Sequence, residues 1–579
     1  MDAWFTSFFI ENHLDHETYS EKVGSPEQVR FMVYLEEDEK YYPCSDNIFQ
    51  AIINKQQGDL IQERYQNVLK SILHLINKNI EDEKEKKYLT SLIKVKYKHE
   101  TRDRIMIPSR LEKRLYRIFL NFSFTDDPCM SEKKLRNSRA KKALSSDAFK
   151  KALNDISAEN LFTSSKTLIE LRTNMEYIGF KRFLSLTAEK SLWESNKSEN
   201  YAETDYANIF QRKLIGNGVD ALLDFLDISI QNKSDEIFRP KRILWLADES
   251  GEVLIDLAII KYLNKLGHKI IIAFKDGPLF NKANIFDVQE DEILKKELEG
   301  AFLINDKQLT KNAMVQIFRG DNEIIAVSDG TQERLNLLLV STTFSRIFKE
   351  VDAIISRGPE QKGRFFDTNF QFTQDIFNIS TTKEGEVEIA YKHKHPNVIK
   401  FSHKDLERKA KSIISEMESE KKKGYTVVFY SGIIGSIPGQ TRMAKKIMTV
   451  FIQYLKEQLS KTFIINPSQY FEPGMDADDL MYMWEIVQRS GFINIWRFQM
   501  YEDIVKAFQI LDEKVPPEWV GKDATFSTGC TKEMDIALDV QKNHPEMQII
   551  GPAKEKFMRR REYGVGKMFD ARLIESCRI

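Results

Sequence analysis

Asp248-Glu249-Ser250-Gly251-Glu252 stands between two apolar runs, residues 243–247 and residues 253–260. The first run has the length of a buried strand and the second continues as a helix, so the acidic cluster falls on a strand-to-helix turn. In an open α/β sheet such turns lie at the carboxyl ends of strands, where ligands collect because the loop is exposed while strand and helix hold its ends. Adjacent carboxylates are hard oxygen donors, and the chemistry they suggest is the holding of a divalent cation.

A second turn of this kind follows the apolar strand 425–430. Ser431-Gly432-Ile-Ile-Gly435-Ser436-Ile-Pro438-Gly439-Gln440-Thr441 leads into a helix over 442–459. Free backbone N–H groups and the helix dipole could receive an anion there, with Gly432, Gly435, Ser436, Gly439 and Thr441 as the candidate lining. The spacing matches neither the Walker loop, since Gln440 stands where lysine is needed, nor the dinucleotide fingerprint. A tight structural turn is the competing reading. Residues 524–531 are expected to end another strand and open a helix over 532–542; Cys530, at its start, has no histidine beside it in sequence and reads as a buried thiol. His13 and His16 are one helical turn apart but lack a third ligand. The closing cluster around Arg559-Arg560-Arg561 would reach a phosphate or simply coat the surface.

The elements that must position these turns follow from composition and periodicity. Before residue 236, segments such as 47–80 and 109–122 carry apolar residues at helical spacing with few glycines. The basic run 132–142 is expected to be a solvated helix face. From Lys241 the pattern is strand 243–247, helix 252–266 closed by Gly267, strand 269–274, then strand 323–327, helix 335–350 and strand 353–356. Beyond a charged helix over 403–423 come strands 425–430, 462–466 and 493–498 with a helix over 477–489. Alternating strands and helices imply a parallel sheet covered on both faces. The fold class is α/β: a helical domain over 1–235, a doubly wound domain over 236–402 and a second α/β domain over 403–579. The 579 residues agree with about three domains.

With 86 basic against 87 acidic side chains, the formal net charge is -1, so nothing global points to nucleic acid or an anionic membrane. Cys44, Cys129, Cys530 and Cys577 form no CxxC pair and read as reduced thiols in a cytoplasmic protein. No apolar run reaches the roughly 18 residues of a membrane span.

Four segments, taken in order, resemble the damage-control phosphatases. Gly216-Asn217-Gly-Val-Asp220 is similar to that family's Gly-Asn-x-x-Asp segment. The Asp248 cluster is similar to its Asp-Asn-Ala/Ser-Gly-Glu signature. Pro278-Leu-Phe-Asn281-Lys282 resembles its Pro-x-x-Asn-Asp loop, and Asp352 to Gly358 resembles its Asp-Leu-Val-Ile-x-Lys-Gly strand and loop. The resemblance implies a metal-dependent phosphatase of a small phosphorylated metabolite, with catalytic roles on Asp248, Glu249 and Arg357. Its cation, magnesium, manganese, cobalt or nickel, would rest on Asp248, Glu249 and Asn281. Asn217, Asn281, Lys282, Arg357, Lys362 and Arg364 would line the substrate.

Two departures bear on that expectation. Glu249 replaces the family's asparagine, and Lys282 replaces the aspartate that is its third ligand; an ammonium repels a cation. Three readings stay open. Metal binding persists through Asp248, Glu249 and another oxygen such as Asn281, Asn284, Asp287 or Asp329; or Lys282 replaces the ion, pairing with Asp248 or Glu249, and leaves a site that binds phosphorylated ligands but hydrolyses them poorly; or only the fold survives and Lys282 points into solvent. Arg357, in the family's lysine position, could grip a phosphate or pair with Asp352 or Glu360. A transferase using a nucleotide or S-adenosylmethionine in the C-terminal domain is a further alternative.

Overall fold

The computed structural model describes residues 2–36, 39–54, 58–155, 167–228, 240–437 and 440–557. Gly439, the Arg559 cluster and Cys577 fall outside them. The chain divides into two compact units, 1–398 and 399–579.

The first unit is built on an eight-stranded sheet. In chain order the unit's strands are β1 (Val33–Tyr34), β2 (Leu214–Ile215), β3 (Arg242–Leu246), β4 (Lys269–Phe274), β5 (Phe302–Ile304), β6 (Ile324–Ser328), β7 (Ala353–Arg357), β8 (Gln371–Phe372), β9 (Asp375–Thr381) and β10 (Val387–Lys392). The sheet order is β2-β10-β9-β7-β3-β4-β6-β5, while β1 and β8 pair separately. From β9 to β5 every pairing is parallel; β10 runs antiparallel to β9 and carries β2 along it.

Alternation along the strands separates two cores, because successive side chains point to opposite faces. Leu244, Leu246, Ile271, Ala273, Ile325 and Val327 pack with the helices before residue 124 and with Thr342–Glu350. Ile243, Trp245, Ile270, Ile272, Phe274 and Ala326 pack with Met130–Ser145, Leu168–Leu186 and Glu252–Lys265. The helices of the first half thus cover the two sheet faces and share its cores, which is why they and the sheet form one unit where composition suggested two.

Three sequence expectations shift. The helix expected from Leu335 begins only at Thr342, because Ser341 caps it by accepting from the Phe344 N–H and the preceding leucines pack into the core as a loop. The basic run 132–142 is not wholly solvated: Lys133 is 1% exposed and bonds Asp127 and Asp287. Ala524–Phe526 forms a 3-10 turn instead of a strand end, the Asp523 side chain accepting from the Thr525 N–H.

In the second unit β11 (Thr426–Ser431), β12 (Thr462–Ile465), β13 (Ile495–Phe498) and β14 (Gln548–Ile550) form a parallel sheet in the order β12-β11-β13-β14. None of the described helices is long and apolar enough to cross a membrane.

Candidate functional site

The acidic turn leaves β3 at the carboxyl edge of the sheet, beside β7 on one side and β4 on the other. Gly251, at φ +86°, lets it enter helix Glu252–Lys265, and a Cβ there would lie 2.5 Å from Trp193 Cβ. Asn137 Oδ1 accepts from the Gly251 N–H at 2.6 Å. The loop after β4 then folds back along the turn. The Ser250 N–H donates to the Asn281 carbonyl at 2.9 Å and the Ala283 N–H to the Asp248 carbonyl at 2.9 Å, with Glu249 and Lys282 paired as an antiparallel bridge. Backbone pairing, not side-chain attraction alone, therefore fixes Lys282 opposite Asp248 and Glu249.

Lys282 Nζ bonds Asp248 Oδ1, lies 3.2 Å from a Glu360 oxygen and 4.0 Å from Glu249. Burial alone would lower its affinity for a proton, but Asp248, Glu360 and Glu249 outweigh burial and hold the ammonium well above the usual lysine range. Glu360 is pulled down to about 2: burial opposes this, and Lys282, Arg334 and Arg364 overcome it. Arg334 ties the group to the helical layer, bonding Glu360 on one side and Glu112 at 2.5 and 2.9 Å on the other. Arg136 holds Glu249 at 2.9 Å.

Arg357 is 1% exposed. Its Nε donates to Asp256 at 2.8 Å, Nη1 to the Ile379 carbonyl at 2.9 Å and Nη2 to Glu252 at 2.7 Å. Asp256 and Glu252 are one helical turn apart, so the guanidinium staples β7 to helix Glu252–Lys265. The pairing expected from sequence involved Asp352 or Glu360; Asp352 instead accepts from the Arg242 N–H and Glu360 belongs to Lys282. Glu252 carries a carboxyl raised to about 7, by burial first and by Asp256, Asp248 and Glu249 against the opposing Arg357.

A cleft of about 370 Å³ opens over this cluster, lined among others by Asp248, Glu249, Asn281, Lys282 and Arg357. Lys190, Thr187, Ser380 and Thr381 also border it. The remaining expected residues lie elsewhere. The Asn217 amide pairs with the Tyr391 backbone at 3.0 and 3.2 Å, Lys362 with Glu388 at 2.7 Å, and Arg364 with the Pro43 carbonyl and with Ser109 Oγ at 3.0 Å. Gly432, Gly435, Ser436 and Thr441 belong to the second unit. There a Cβ on Gly432 would lie 2.7 Å from Met448, the Ile433 N–H donates to Gln499 at 3.0 Å, and Ile433 and Ile437 are buried in the core. Sequence reading missed Asp256, Arg334 and Arg136 as members of the cluster, and it placed Glu252 and Glu360 near the site without their partners, Arg357 and Lys282. The one signal was that Glu252 and Glu360 flank the two turns that resemble the family's.

A divalent cation needs several oxygens with free lone pairs. The candidate carboxylates already face cationic side chains: Asp248 has Lys282, Glu249 has Arg136 at 2.9 Å, Asp287 has Lys133 at 2.7 Å, and Asp329 has Lys275 at 2.5 Å. Asn284 Oδ1 accepts from the Phe286 N–H at 2.9 Å. Among the described residues no group of three or more His, Cys, Asp or Glu side chains is arranged to hold a metal. With Lys282 seated, this donor set does not fit a divalent cation. Among the described residues, the buried side-chain atoms without a hydrogen-bond partner include Asn281 Oδ1 and Ser250 Oγ at these turns.

The family model of the damage-control phosphatase ARMT1-like domain matches residues 60–394. Among solved structures, a DUF89 family protein from Pyrococcus horikoshii is 17% identical, covers 56% of this chain and 96% of its own, and superposes with a TM-score of 0.38. No curated protein matches the sequence.

Proposed function

The chain belongs to the damage-control phosphatase ARMT1-like family, and from that premise we propose that it is a phosphatase-like protein whose cleft receives a small phosphorylated metabolite against the Lys282 ammonium instead of a divalent cation. The family is one of generally metal-dependent phosphatases of small phosphorylated metabolites. The observation that carries the proposal is the seating of Lys282 between Asp248 and Glu360, held there by backbone pairing of its loop.

An ammonium has three N–H donors. Asp248 and Glu360 take two, and Glu249, at 4.0 Å, is beyond hydrogen-bond reach. The third is left for a phosphate oxygen, with the rim lysine Lys190 and the hydroxyls of Thr187, Ser380 and Thr381 for the rest of the ligand. A metal in such a site would polarise the phosphate and generate a nucleophile from bound water. A lysine supplies one charge and no coordination position, so recognition survives while activation of water is lost. The proposal is therefore binding with slow or no hydrolysis.

A second reading rests on Asn281 Oδ1, whose missing partner is what a ligand to a cation would show. It makes the protein a metal-dependent hydrolase in which Lys282 swings out and Asp248, Glu249 and Asn281 hold magnesium, manganese, cobalt or nickel. Titration of a sugar-phosphate panel into metal-stripped protein separates the two, with phosphate release followed in parallel with and without manganese. The proposal expects metal-free binding that Lys282→Ala abolishes and no manganese-stimulated release. Binding that requires manganese and is followed by release would install the hydrolase reading instead.

A further inference from the structure

A second and larger cleft, about 810 Å³, lies in the same unit and shares no lining residue with the first. It is bounded by the segment before Gly24, by helix Pro108–Ser123 and by the turns after β4 and β6. Seven lysines and arginines line it against three carboxylates, Glu21, Glu100 and Asp276. In a chain of near-zero net charge this concentration is local and not a reflection of composition.

The helix supplies four of the cations at one face: Arg110, Lys113, Arg114 and Arg117 recur at the i, i+3, i+4, i+7 spacing that stacks side chains. Their internal counter-ions are too few. Arg110 takes Glu333 at 2.5 Å, leaving Lys113 at 3.8 Å from the same carboxylate. Glu100 is shared by Arg114 and Lys96, and Asp276 is taken by Lys307 at 2.7 Å. Lys22 and Arg117, both exposed, have no ion pair among the described residues. The crowding is felt by neighbouring groups. Lys113 is held below the usual lysine range, by burial first and then by Arg110, Arg117 and Lys22 against the attraction of Glu333. His13 is likewise lowered by burial, then by Arg114 and Arg110. A pocket that keeps unneutralised cations close together is stabilised by an anion, and the more charges that anion carries the more repulsion it relieves.

We propose that this cleft binds a small molecule bearing two or more phosphate groups, held by Lys22, Lys113 and Arg117. The volume falls within the range of small-molecule sites, and a single phosphate would leave most of it empty. Tyr19, its ring 4.8 Å from that of His13, adds an aromatic surface at the wall, so the phosphates could belong to a nucleotide or to a chain without a base.

The test is calorimetric titration of the full chain with inorganic tripolyphosphate and, separately, with ATP, in metal-free buffer at two salt concentrations. Saturable binding that weakens with salt is expected, falling at least tenfold in Lys22→Glu/Arg117→Glu and unchanged in Lys282→Ala. Both reversed side chains are exposed, and a Lys113→Met variant provides a separate check with the same expectation of loss. Tighter binding of ATP would identify a nucleotide site, and tighter binding of tripolyphosphate a site for the phosphate chain alone; each supports the proposal. No saturable binding of either probe would overturn it, as would affinity indifferent to the charge reversals or lost with Lys282→Ala.

Discussion

Replacing Arg357 with methionine removes the staple between β7 and helix Glu252–Lys265 while keeping an unbranched apolar chain in its place. Both partner carboxylates are then left inside the protein, Asp256 fully buried and Glu252 largely so. Breaking a buried ion pair by removing one partner costs about 3–5 kcal/mol, because the remaining charge is uncompensated. The carboxyls can escape part of that cost by taking protons, and this sets a pH signature. Burial already raises both, Glu252 to about 7, against the opposing pull of Arg357. Losing the guanidinium raises them further. The folded variant then holds more protons than its unfolded chain, so its stability falls as pH rises from the ordinary carboxylate range through the raised values. At about 1.4 kcal/mol per proton per pH unit, the deficit relative to wild type should grow by on the order of 1–3 kcal/mol between pH 5.5 and 7.5. Hydrogen exchange of peptides from residues 242–265 along a urea series reports the first unit alone, which matters because a chain of two units need not unfold in one step. A companion variant that also carries Glu252→Leu and Asp256→Leu should recover most of the loss. A deficit below about 1 kcal/mol at pH 7.5, or one that shrinks as pH rises, would refute the reasoning about buried, uncompensated charge.

Other consequences are checkable in the same way. Gly251→Ala places a Cβ 2.5 Å from Trp193 Cβ at a positive φ, and should cost upwards of about 1 kcal/mol in a urea titration, with exchange protection falling in residues 252–265. In the second unit Glu533 is buried and raised to about 7 despite its hydrogen bond from Gln488 at 2.9 Å. Stability of that unit should therefore fall by up to about 3 kcal/mol as pH rises from 4.5 to 7, and Glu533→Gln should flatten the slope. Cys530 is 2% exposed, donates to the Gly432 carbonyl at 3.4 Å and has a thiol pushed well above its usual range by burial and Glu533. Mass-spectrometric tracking of iodoacetamide labelling at pH 8 should find its peptide modified at least about 100-fold more slowly in the folded than in the urea-unfolded protein.

The central strands were legible because both faces of a parallel sheet are buried, so β3 and β4 read as unbroken apolar runs and the turn between β3 and its helix stood out. The edge was harder. Strands β9 and β10 mix polar residues such as Asn378 and Glu388 with apolar ones, and nothing local says that β10 reverses direction. The leucines at 335–338 have helical composition but belong to a buried loop, a tertiary outcome that periodicity does not distinguish from a helix turn. At the site, residue types within the turns were readable, and Lys282 was visible as a departure. The cluster around it was not: Glu360, which pairs with Lys282, and Arg334 and Arg136, which pair with Glu360 and Glu249, lie 78, 52 and 146 residues away from Lys282 in sequence, and only the fold makes them neighbours. For Arg357 the sequence left both a phosphate contact and an internal ion pair open, and what it did not indicate was the partners, Glu252 and Asp256.

Manganese titration of metal-stripped, full-length protein by calorimetry tests the seating of Lys282 most directly, comparing wild type with Lys282→Asp and Asp248→Ala. The expected result is no binding by wild type and micromolar binding once Lys282→Asp replaces the ammonium with a carboxylate beside Asp248 and Glu249. Micromolar binding by wild type that disappears in Asp248→Ala would contradict it, because the cation would then displace Lys282 from a site the lysine was held to fill.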